Sequence, residues 1–203
     1  MRWITHAEAA ILLNELPSHL SDLAAFALAT GLREANVTGL EWSQVDLERR
    51  VAWIHPDQAK ARKAISVPLN ADAVLVLPRQ LGKHPIRVFT HKGRPVTKAG
   101  TKAWRKALDR AGIRPFDDGL PVTSERKLYP TRKLDEYKYQ DFRWHDLRHS
   151  AASYLAMNGA SLAEIAEVLG HKTLQMVKRY AHLSETHTAG VVERMNAKIF
   201  GGA

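Results

Sequence analysis

The sequence predicts an α+β fold that is mostly helical and carries a small antiparallel β-sheet. Segments with apolar residues at helical spacing fill both ends of the chain. In between, residues 45–69 show partial alternation and β-branched side chains bounded by Pro56 and Pro68, the pattern of short strands. Hydrophobic residues make up 45% of the 203 residues, enough for a sizeable core in one domain.

Local signals place the elements of the N-terminal half. Thr5 and Glu8 form the pattern of a capping box, which starts a helix. A second helix runs through SDLAAFALAT, is apolar almost all round, and ends at Gly31. After the sheet, Asn70 can cap a helix over ADAVLVL that ends around Pro78. RVFTH is a candidate short strand, and THKGRPV is a turn.

The C-terminal half is predicted to be helical apart from one irregular stretch. A basic amphipathic helix covers TKAGTKAWRKALDRAG, and residues 113–142 then form a long loop or inserted element. This stretch would contact DNA or a partner, or be an inert loop, which we favour. Four further helices follow, over HDLRHSAASYLAMNG, SLAEIAEVLG, TLQMVKRYAHL and, at about 185–199, ETHTAGVVERMNAKIF. Ser161 and Glu164 form a second capping box, and Gly170 marks a helix end.

Composition narrows the function classes. The net charge of +9, from 30 Lys and Arg against 21 Asp and Glu, favours a polyanionic partner such as nucleic acid. With no cysteine, the chain has no disulfide framework and no cysteine-based zinc site. The N-terminus lacks the apolar run of a signal peptide, and no apolar stretch approaches the ~20 residues of a membrane span. We expect a soluble, cytoplasmic protein.

The motif HDLRH at residues 145–149 allows two interpretations. His145 and Arg148 share a helix face and would suit an anionic ligand that also needs acid–base chemistry. His145 and His149 are also spaced as in the metalloprotease motif H-E-x-x-H, with Asp146 in place of the glutamate. The metal hypothesis needs a third ligand and places an arginine beside a dication, which is unfavourable.

The stretch SLAEIAEVLGHKTLQMVKRY supports a rival hypothesis. Two short helices separated by Gly170 resemble a helix-turn-helix, which would make the protein a DNA-binding regulator without catalysis. Such a regulator has no use for Arg33, past a helix end, together with Lys60 near the turn of the predicted hairpin and the HDLRH motif.

Taken together, these stretches resemble the tyrosine recombinases, also called phage-type integrases. The resemblance rests on ATGLRE, NV, GLEWSQVDL, AKARKAISVPL and FRWHDLRHSAASYLAMNGASLAEIAEVLGHKTLQMVKRYAHL, and it covers almost the whole chain. It implies the integrase catalytic fold, a bacterial or phage-encoded protein at the nucleoid, and DNA integration or excision. By position, it implies the catalytic residues Arg33, Lys60, His145, Arg148, His171 and the nucleophile Tyr180.

The resemblance implies which side chains bind the phosphate of a DNA strand. Arg33 and Arg148 would clamp two phosphate oxygens, because a guanidinium offers paired, planar donors. His171 would donate a further hydrogen bond to the phosphate.

The resemblance also implies the reaction. Tyr180 would attack the phosphate, leaving a 3′-phosphotyrosine and a free 5′-hydroxyl. Its phenol would be activated by neighbouring cations and a base such as His145, while Lys60 would protonate the leaving oxygen. The reaction would need no metal, cofactor or ATP.

The implied partner is double-stranded DNA carrying a recombination site. On DNA the chain would form a homo-oligomer, a tetramer, and without DNA it would associate weakly or stay monomeric. Candidate contacts to the DNA backbone are Arg62, Lys63, Lys178 and Arg179. His149 and His182 are interpreted as structural or solvated, and Tyr154 as a core residue.

Three features depart from the family pattern or stay open. Asn36 stands where the family often has an acidic residue that supports the site. We expect one catalytic domain over residues 1–203 with the N-terminal DNA-clamping domain absent, either as a fragment or as a short form. An apolar stripe of Val191, Val192, Met195 and Ile199 lies in the last predicted helix. It would fold back on its own domain or dock on a neighbouring protomer.

Overall fold

The computed structural model describes residues 2–59, 62–114 and 134–184, together with residues 189, 190, 193 and 195. The α-helices in these ranges are α1 (His6–Glu15), α2 (Ser18–Thr30), α3 (Glu34–Thr38), α4 (Ala71–Val76), α5 (Lys102–Arg110), α6 (His145–Met157) and α7 (Leu162–Leu169). Shorter 3-10 helices span Trp42–Gln44, Leu77–Gln80, Leu134–Glu136, Leu174–Met176 and Lys178–Ser184. The fold is mostly helical with small antiparallel sheets, which confirms the predicted class.

The predicted antiparallel sheet is present. Its strands β1 (Val45–Asp46), β2 (Val51–Ile54) and β3 (Ile65–Pro68) pair in the order β1-β2-β3. Side chains alternate along β2, with Ala52 and Ile54 buried and Trp53 facing out, as a half-buried strand requires. The segment that joins β2 and β3 includes Lys60, which lies outside the described residues.

A second, two-stranded hairpin consists of β4 (Thr90–His91) and β5 (Arg94–Pro95). Lys92 and Gly93 between them have φ values of 50° and 73°, so this two-residue turn has positive φ at both positions, as in a type I′ turn. The stretch predicted as a strand followed by a turn is thus a tight hairpin.

The core is arranged around α2, which packs against α1, α4 and α6. Leu20, Leu23 and Phe26 of α2 are buried, and the Phe26 ring lies 5.2 Å from that of Phe89. This confirms α2 as the core helix that its apolar sequence predicts. None of the described helices is long and apolar enough to cross a membrane.

Both predicted capping boxes are formed. The backbone N–H of Thr5 donates to Glu8 at 2.7 Å at the start of α1, and that of Ser161 donates to Glu164 at 2.7 Å at the start of α7. These bonds satisfy N–H groups that a helix N-terminus leaves unpaired.

The segment TLQMVKRYAHL is not the α-helix that the sequence analysis predicts. It forms two 3-10 helices, Leu174–Met176 and Lys178–Ser184. Its anchoring apolar residues Val177, Tyr180 and Leu183 recur every third position, which matches the roughly 3 residues per turn of a 3-10 helix. Leu174 and Met176 stay exposed, so α7 is not followed by the recognition α-helix of a helix-turn-helix.

The C-terminal part of the irregular stretch, residues 134–142, packs against the rest of the domain. The Tyr139 hydroxyl donates to the carbonyl of Trp3 at 2.6 Å, Lys138 pairs with Glu8 at 2.6 Å, and Phe142 is buried. Residues 134–142 are therefore part of the folded domain, and the inert role expected for residues 113–142 stays a prediction. Residues 115–133 lie outside the described residues, as does most of the predicted C-terminal helix at 185–199.

Replacing Gly170 by alanine is expected to destabilise the domain strongly. Gly170 ends α7 with φ +61°, and an added Cβ would lie 2.5 Å from Cδ1 of Ile65. The left-handed conformation costs alanine roughly 1–2 kcal/mol, and the steric clash adds about 1–3 kcal/mol. The midpoint of urea unfolding measures the sum. The control is Gly82→Ala, where φ is +77° and nothing lies within 4 Å of the added Cβ, so equal losses would contradict the clash.

Candidate active site

The buried guanidinium of Arg148 joins the C-termini of two helices. Its Nη1 donates to the carbonyl of Gly31 at 2.8 Å, and its Nη2 donates to the carbonyl of Leu169 at 2.5 Å. Gly31 and Gly170 end α2 and α7 in the left-handed conformation, which leaves these carbonyls for the cation. The negative ends of the two helix dipoles also favour a cation here. Because a guanidinium has five N–H donors, Arg148 keeps donors for a ligand.

Arg33 and His171 lie close to Arg148, as their electrostatic coupling indicates. Burial first and the Arg33 guanidinium second lower the pKa of Arg148 to about 9. Burial, then Arg148 and Arg33, lower the pKa of His171 to about 4. The three predicted side chains are therefore brought together, although they come from sequence positions far apart.

Two polar atoms in this cluster have no partner among the residues that the structure describes. They are Nη1 of Arg33 and Nδ1 of His171, and both are buried. Because buried polar groups are nearly always hydrogen-bonded, each of these atoms calls for a partner, such as a bound ligand or an ordered water. Beside two arginines, that ligand is expected to be an anion with several acceptor oxygens.

The Tyr180 ring packs in a small apolar cluster that includes Ile165, Leu169 and Val177, and the residue is 1% exposed. Its hydroxyl lies 2.6 Å from Nδ1 of His149. Burial raises the pKa of Tyr180, and the opposing effects of Arg179 and Arg148 do not cancel it. The two cations thus lower the pKa of this phenol as expected, but by less than burial raises it.

His149 faces the candidate nucleophile, although the sequence analysis leaves it outside the reaction. Burial first and His145 second lower its pKa to about 4, while Asp146 acts in the opposite direction. His145 is exposed at the start of α6, edge-on to His149 with ring centroids 5.1 Å apart. The available sequence signal was the four-residue spacing of the two histidines, which places both on one helix face.

Asp146 has a structural role at the start of α6. Its buried carboxylate accepts the backbone N–H of Arg143 at 2.7 Å and lies 3.2 Å from Nε of Arg2. It thereby ties down the N-terminus of α6, where a negative charge is favourable. In the described ranges, no three His, Asp or Glu side chains are grouped so as to hold a metal ion. The metal hypothesis thus gains no third ligand there.

The turn that precedes Lys60 is anchored by hydrogen bonds to Gln58, while Lys60 itself lies outside the described residues. The Asn36 amide donates to the carbonyl of Gln58 at 3.0 Å, and the Gln44 amide donates to the Gln58 side chain at 2.7 Å. Ala59 is buried. A cavity of about 680 Å³ lies beside this turn and is lined by Arg33, Ala35, Asn36, Pro56, Asp57, Gln58, Ala59 and Arg62.

Changing Asn36 to the acidic residue of the family pattern is expected to destabilise this chain. A carboxylate cannot donate to the Gln58 carbonyl, so two acceptors would face each other at a buried position. We expect Asn36→Asp to cost about 1–3 kcal/mol in unfolding free energy and to speed protease cleavage in the turn at residues 55–64. The exposed Asn14→Asp is the control, expected within about 0.5 kcal/mol of the parent. A neutral or stabilising Asn36→Asp would contradict the donor role.

The half-buried histidines His149 and His171 predict that stability decreases as the pH is lowered. His149 and His171 have pKa values of about 4 when folded, against an ordinary value of 6.5. Between these values the unfolded chain binds more protons, so stability is full above pH 6.5 and is lost as pH falls toward 4. Urea midpoints at pH 7, 6 and 5 measure the slope. The double variant His149→Asn/His171→Asn should flatten it, whereas an unchanged slope would contradict the assignment.

The candidate DNA-contacting side chains are all on the surface. Arg62, Lys63, Lys178 and Arg179 are exposed. Arg179 also influences the pKa of Tyr180, His149 and His171, so it lies near the cluster. Their role in DNA binding stays a prediction.

Tyr154 and His182 lie outside the cluster's hydrogen bonds. The Tyr154 hydroxyl donates to the carbonyl of Ile4 at 2.7 Å, its ring stacks on His6 at 4.1 Å, and burial raises its pKa to about 12. This tyrosine therefore has a structural role, as predicted. His182 is exposed.

Sequence comparisons agree with the geometry. The phage integrase family model matches residues 2–187. The chain is 37% identical over 214 residues to the integrase of Salmonella phage P22, covering 99% of this chain and 48% of that protein. It is 29% identical over 157 residues to tyrosine recombinase XerC of Bifidobacterium longum, covering 77% and 41%. The chain thus spans about half, or less, of these relatives' lengths.

Solved structures share the fold. The catalytic domain of bacteriophage HP1 integrase superposes with a TM-score of 0.63 at 25% identity, covering 98% of both chains. The Tn1549 transposon integrase, solved in complex with a circular intermediate DNA, gives a TM-score of 0.69 at 18% identity and covers 95% of this chain and 65% of that one. With the family model matched over nearly its full length, this chain belongs to the phage integrase family.

Proposed function

We propose that this chain is the catalytic domain of a site-specific DNA recombinase, which cleaves and rejoins DNA strands through a 3′-phosphotyrosine on Tyr180. The observation that carries the proposal is the unpaired, buried Nη1 of Arg33 and Nδ1 of His171 beside the Arg148 guanidinium. This arrangement suits a phosphodiester, and the tyrosine hydroxyl is within electrostatic range of Arg148.

The cluster would stabilise the charge that develops during the reaction. A phosphodiester carries one negative charge, and its pentavalent transition state carries two, so fixed cations gain strength as the reaction proceeds. Arg148 is held in place by two helix ends and needs little reorganisation. Arg33 and His171 would fill their missing hydrogen bonds with phosphate oxygens.

The covalent step exchanges one phosphodiester for another. The Tyr180 oxygen forms a bond to phosphorus as the bond to the 5′-oxygen breaks, and Lys60 is the proposed proton donor to that oxygen. Because the phosphotyrosine keeps the bond energy, a 5′-hydroxyl from another strand can reverse the step without ATP. The arginines supply the charge that a metal ion supplies in other phosphoryl-transfer sites, so we propose a metal-independent reaction.

The Tyr180 hydroxyl has to become accessible before it can attack. The residue is 1% exposed and lies in the 3-10 helix Lys178–Ser184. A 3-10 helix has poorer hydrogen-bond geometry than an α-helix, so this segment can shift at modest cost. DNA binding would favour the shifted state by placing a phosphate among the cations.

The proposed partner is double-stranded DNA carrying a recombination site. The net charge of +9 and the exposed Arg62, Lys63, Lys178 and Arg179 support binding to the DNA backbone. Related folds have been solved with DNA, among them XerH recombinase bound to its difH substrate. Assembly into a tetramer on DNA is part of the proposal, because strand exchange requires partners at both sites.

Covalent capture tests the proposal. The protein is incubated with partly randomised duplexes, each nicked so that the short fragment with the 5′-hydroxyl diffuses away after cleavage. We expect an adduct that survives denaturation, that forms in EDTA without ATP, and that carries the DNA by its 3′ end. DNA binding without an adduct would favour the non-catalytic DNA-binding alternative. An adduct lost on chelation would favour metal-dependent chemistry.

A further inference from the structure

We propose that His149 is the proton acceptor for the Tyr180 hydroxyl, a catalytic role that rests on the proposed function. Its Nδ1 lies 2.6 Å from the hydroxyl oxygen, within the range of a short O–H···N hydrogen bond. The planes of the two rings are tilted by 42° to each other, with centroids 6.2 Å apart. The family resemblance assigns no reaction role to this position, so the inference comes from the geometry.

The chemistry of the two groups sets the direction of this hydrogen bond. Burial raises the pKa of Tyr180, so the phenol keeps its proton at neutral pH. The lowered pKa of His149 keeps the imidazole neutral, with one ring nitrogen free to accept. Because a phenol is a stronger acid than a neutral imidazole N–H, the hydroxyl donates to Nδ1, and the ring proton resides on Nε2.

His149 is better placed for this role than His145, which is exposed one helical turn earlier. Its charged and titratable neighbours are His145, Asp146 and Arg148 on α6, Arg179 and Tyr180 on the last 3-10 helix, and His171 after α7. Most of these are cations or can become so, and they disfavour a protonated His149. A phosphodiester bound at Arg148 brings a negative charge next to these cations and His149. This charge favours protonated His149, so the histidine is a stronger base when substrate is present.

The proton balance of cleavage is complete with this assignment. As the Tyr180 oxygen bonds to phosphorus, its proton moves to Nδ1 of His149, and the bond from phosphorus to the 5′-oxygen breaks. The 5′-oxygen leaves as a hydroxyl with a proton from Lys60. In the reverse step, an incoming 5′-hydroxyl gives its proton to Lys60, and His149 returns its proton to the tyrosine.

The tautomer of His149 can be measured without any reaction. In protein labelled with ¹⁵N-histidine, the His149 signals are assigned by their loss in His149→Gln. We expect the proton on Nε2 at pH 7, and an Nδ1 signal that shifts in Tyr180→Phe. A proton on Nδ1 would overturn the proposal, because that nitrogen could not then accept the phenol proton.

Single-turnover capture of DNA tests the catalytic role. The substrate is a duplex that the parent protein captures covalently in the experiment described above. We expect His149→Gln and His149→Gly to slow adduct formation by about 10²–10³-fold, and added imidazole to restore rate in the glycine variant. The control is His182→Gly, which changes an exposed histidine in the same 3-10 helix as Tyr180. This variant should cleave at the parental rate with or without imidazole.

The outcomes separate the two proposals. If the parent forms no adduct, the proposed recombinase function fails, and the catalytic role of His149 fails with it. If the parent forms the adduct and His149→Gln matches its rate, His149 merely positions the tyrosine and this inference alone is overturned. An unrescued glycine variant that stays folded would also contradict proton transfer.

Discussion

Replacing Tyr180 by phenylalanine is expected to reduce covalent adduct formation to background, a loss of more than about 10⁴-fold. The phenylalanine ring keeps the apolar contacts with Ile165, Leu169 and Val177 but has no oxygen to bond to phosphorus. The change also removes the partner of His149 Nδ1, which should cost about 1–2 kcal/mol of stability. DNA affinity should change little, since the cations remain.

The matched control is Tyr154→Phe. It makes the same chemical change and also removes a hydrogen bond, that from the Tyr154 hydroxyl to the carbonyl of Ile4. Its adduct formation should equal that of the parent at a temperature where both variants are folded. An adduct that persists in Tyr180→Phe, or that disappears in Tyr154→Phe, would contradict the assignment of the nucleophile.

Replacing Arg148 by lysine is expected to lower both stability and rate, because one guanidinium has two tasks. Its Nη1 and Nη2 satisfy the carbonyls of Gly31 and Leu169, and a single ammonium group cannot reproduce this planar pair. Leaving a buried carbonyl unpaired should cost about 1–3 kcal/mol. Losing a preorganised donor to the phosphate should slow adduct formation by about 10²–10³-fold.

Urea unfolding and single-turnover capture measure the two effects of Arg148→Lys. Arg143→Lys is the control, because Arg143 is on the surface, where its two bonds to Asp141 are solvated. It should leave both quantities close to those of the parent. A lysine variant at position 148 with parental stability and parental rate would contradict the double role.

The parts of the fold that the sequence predicts are those with local signals. The Thr5–Glu8 and Ser161–Glu164 boxes use residues three apart, so their hydrogen bonds form within one turn. Gly170 ends its helix through its own backbone conformation. The three-stranded sheet follows from alternation over a few residues.

The features that the sequence analysis misses depend on small differences or distant contacts. In a segment as short as TLQMVKRYAHL, apolar spacings of 3 and 3.6 are hard to distinguish, so a 3-10 helix was predicted as an α-helix. The contact between His149 and Tyr180 joins residues 31 apart and depends on how α6 meets the last 3-10 helix. Likewise, pattern alone does not reveal that Asn36 acts as a donor to Gln58.

The fold brings together several of the catalytic residues that the family pattern predicts. Arg33, Arg148 and His171 form a cluster with electrostatic coupling, and Tyr180 lies beside it. Lys60 lies outside the described residues, and its role rests on the resemblance together with the anchored turn before it.

Mass spectrometry of the captured adduct tests the central claim most directly. After nuclease trimming, trypsin releases the peptide of residues 180–194, in which Tyr180 is the one tyrosine. We predict a nucleotide attached to the phenol oxygen of Tyr180 by its 3′-phosphate. A nucleotide on any other residue, or an adduct in which this peptide is unmodified, would contradict the account.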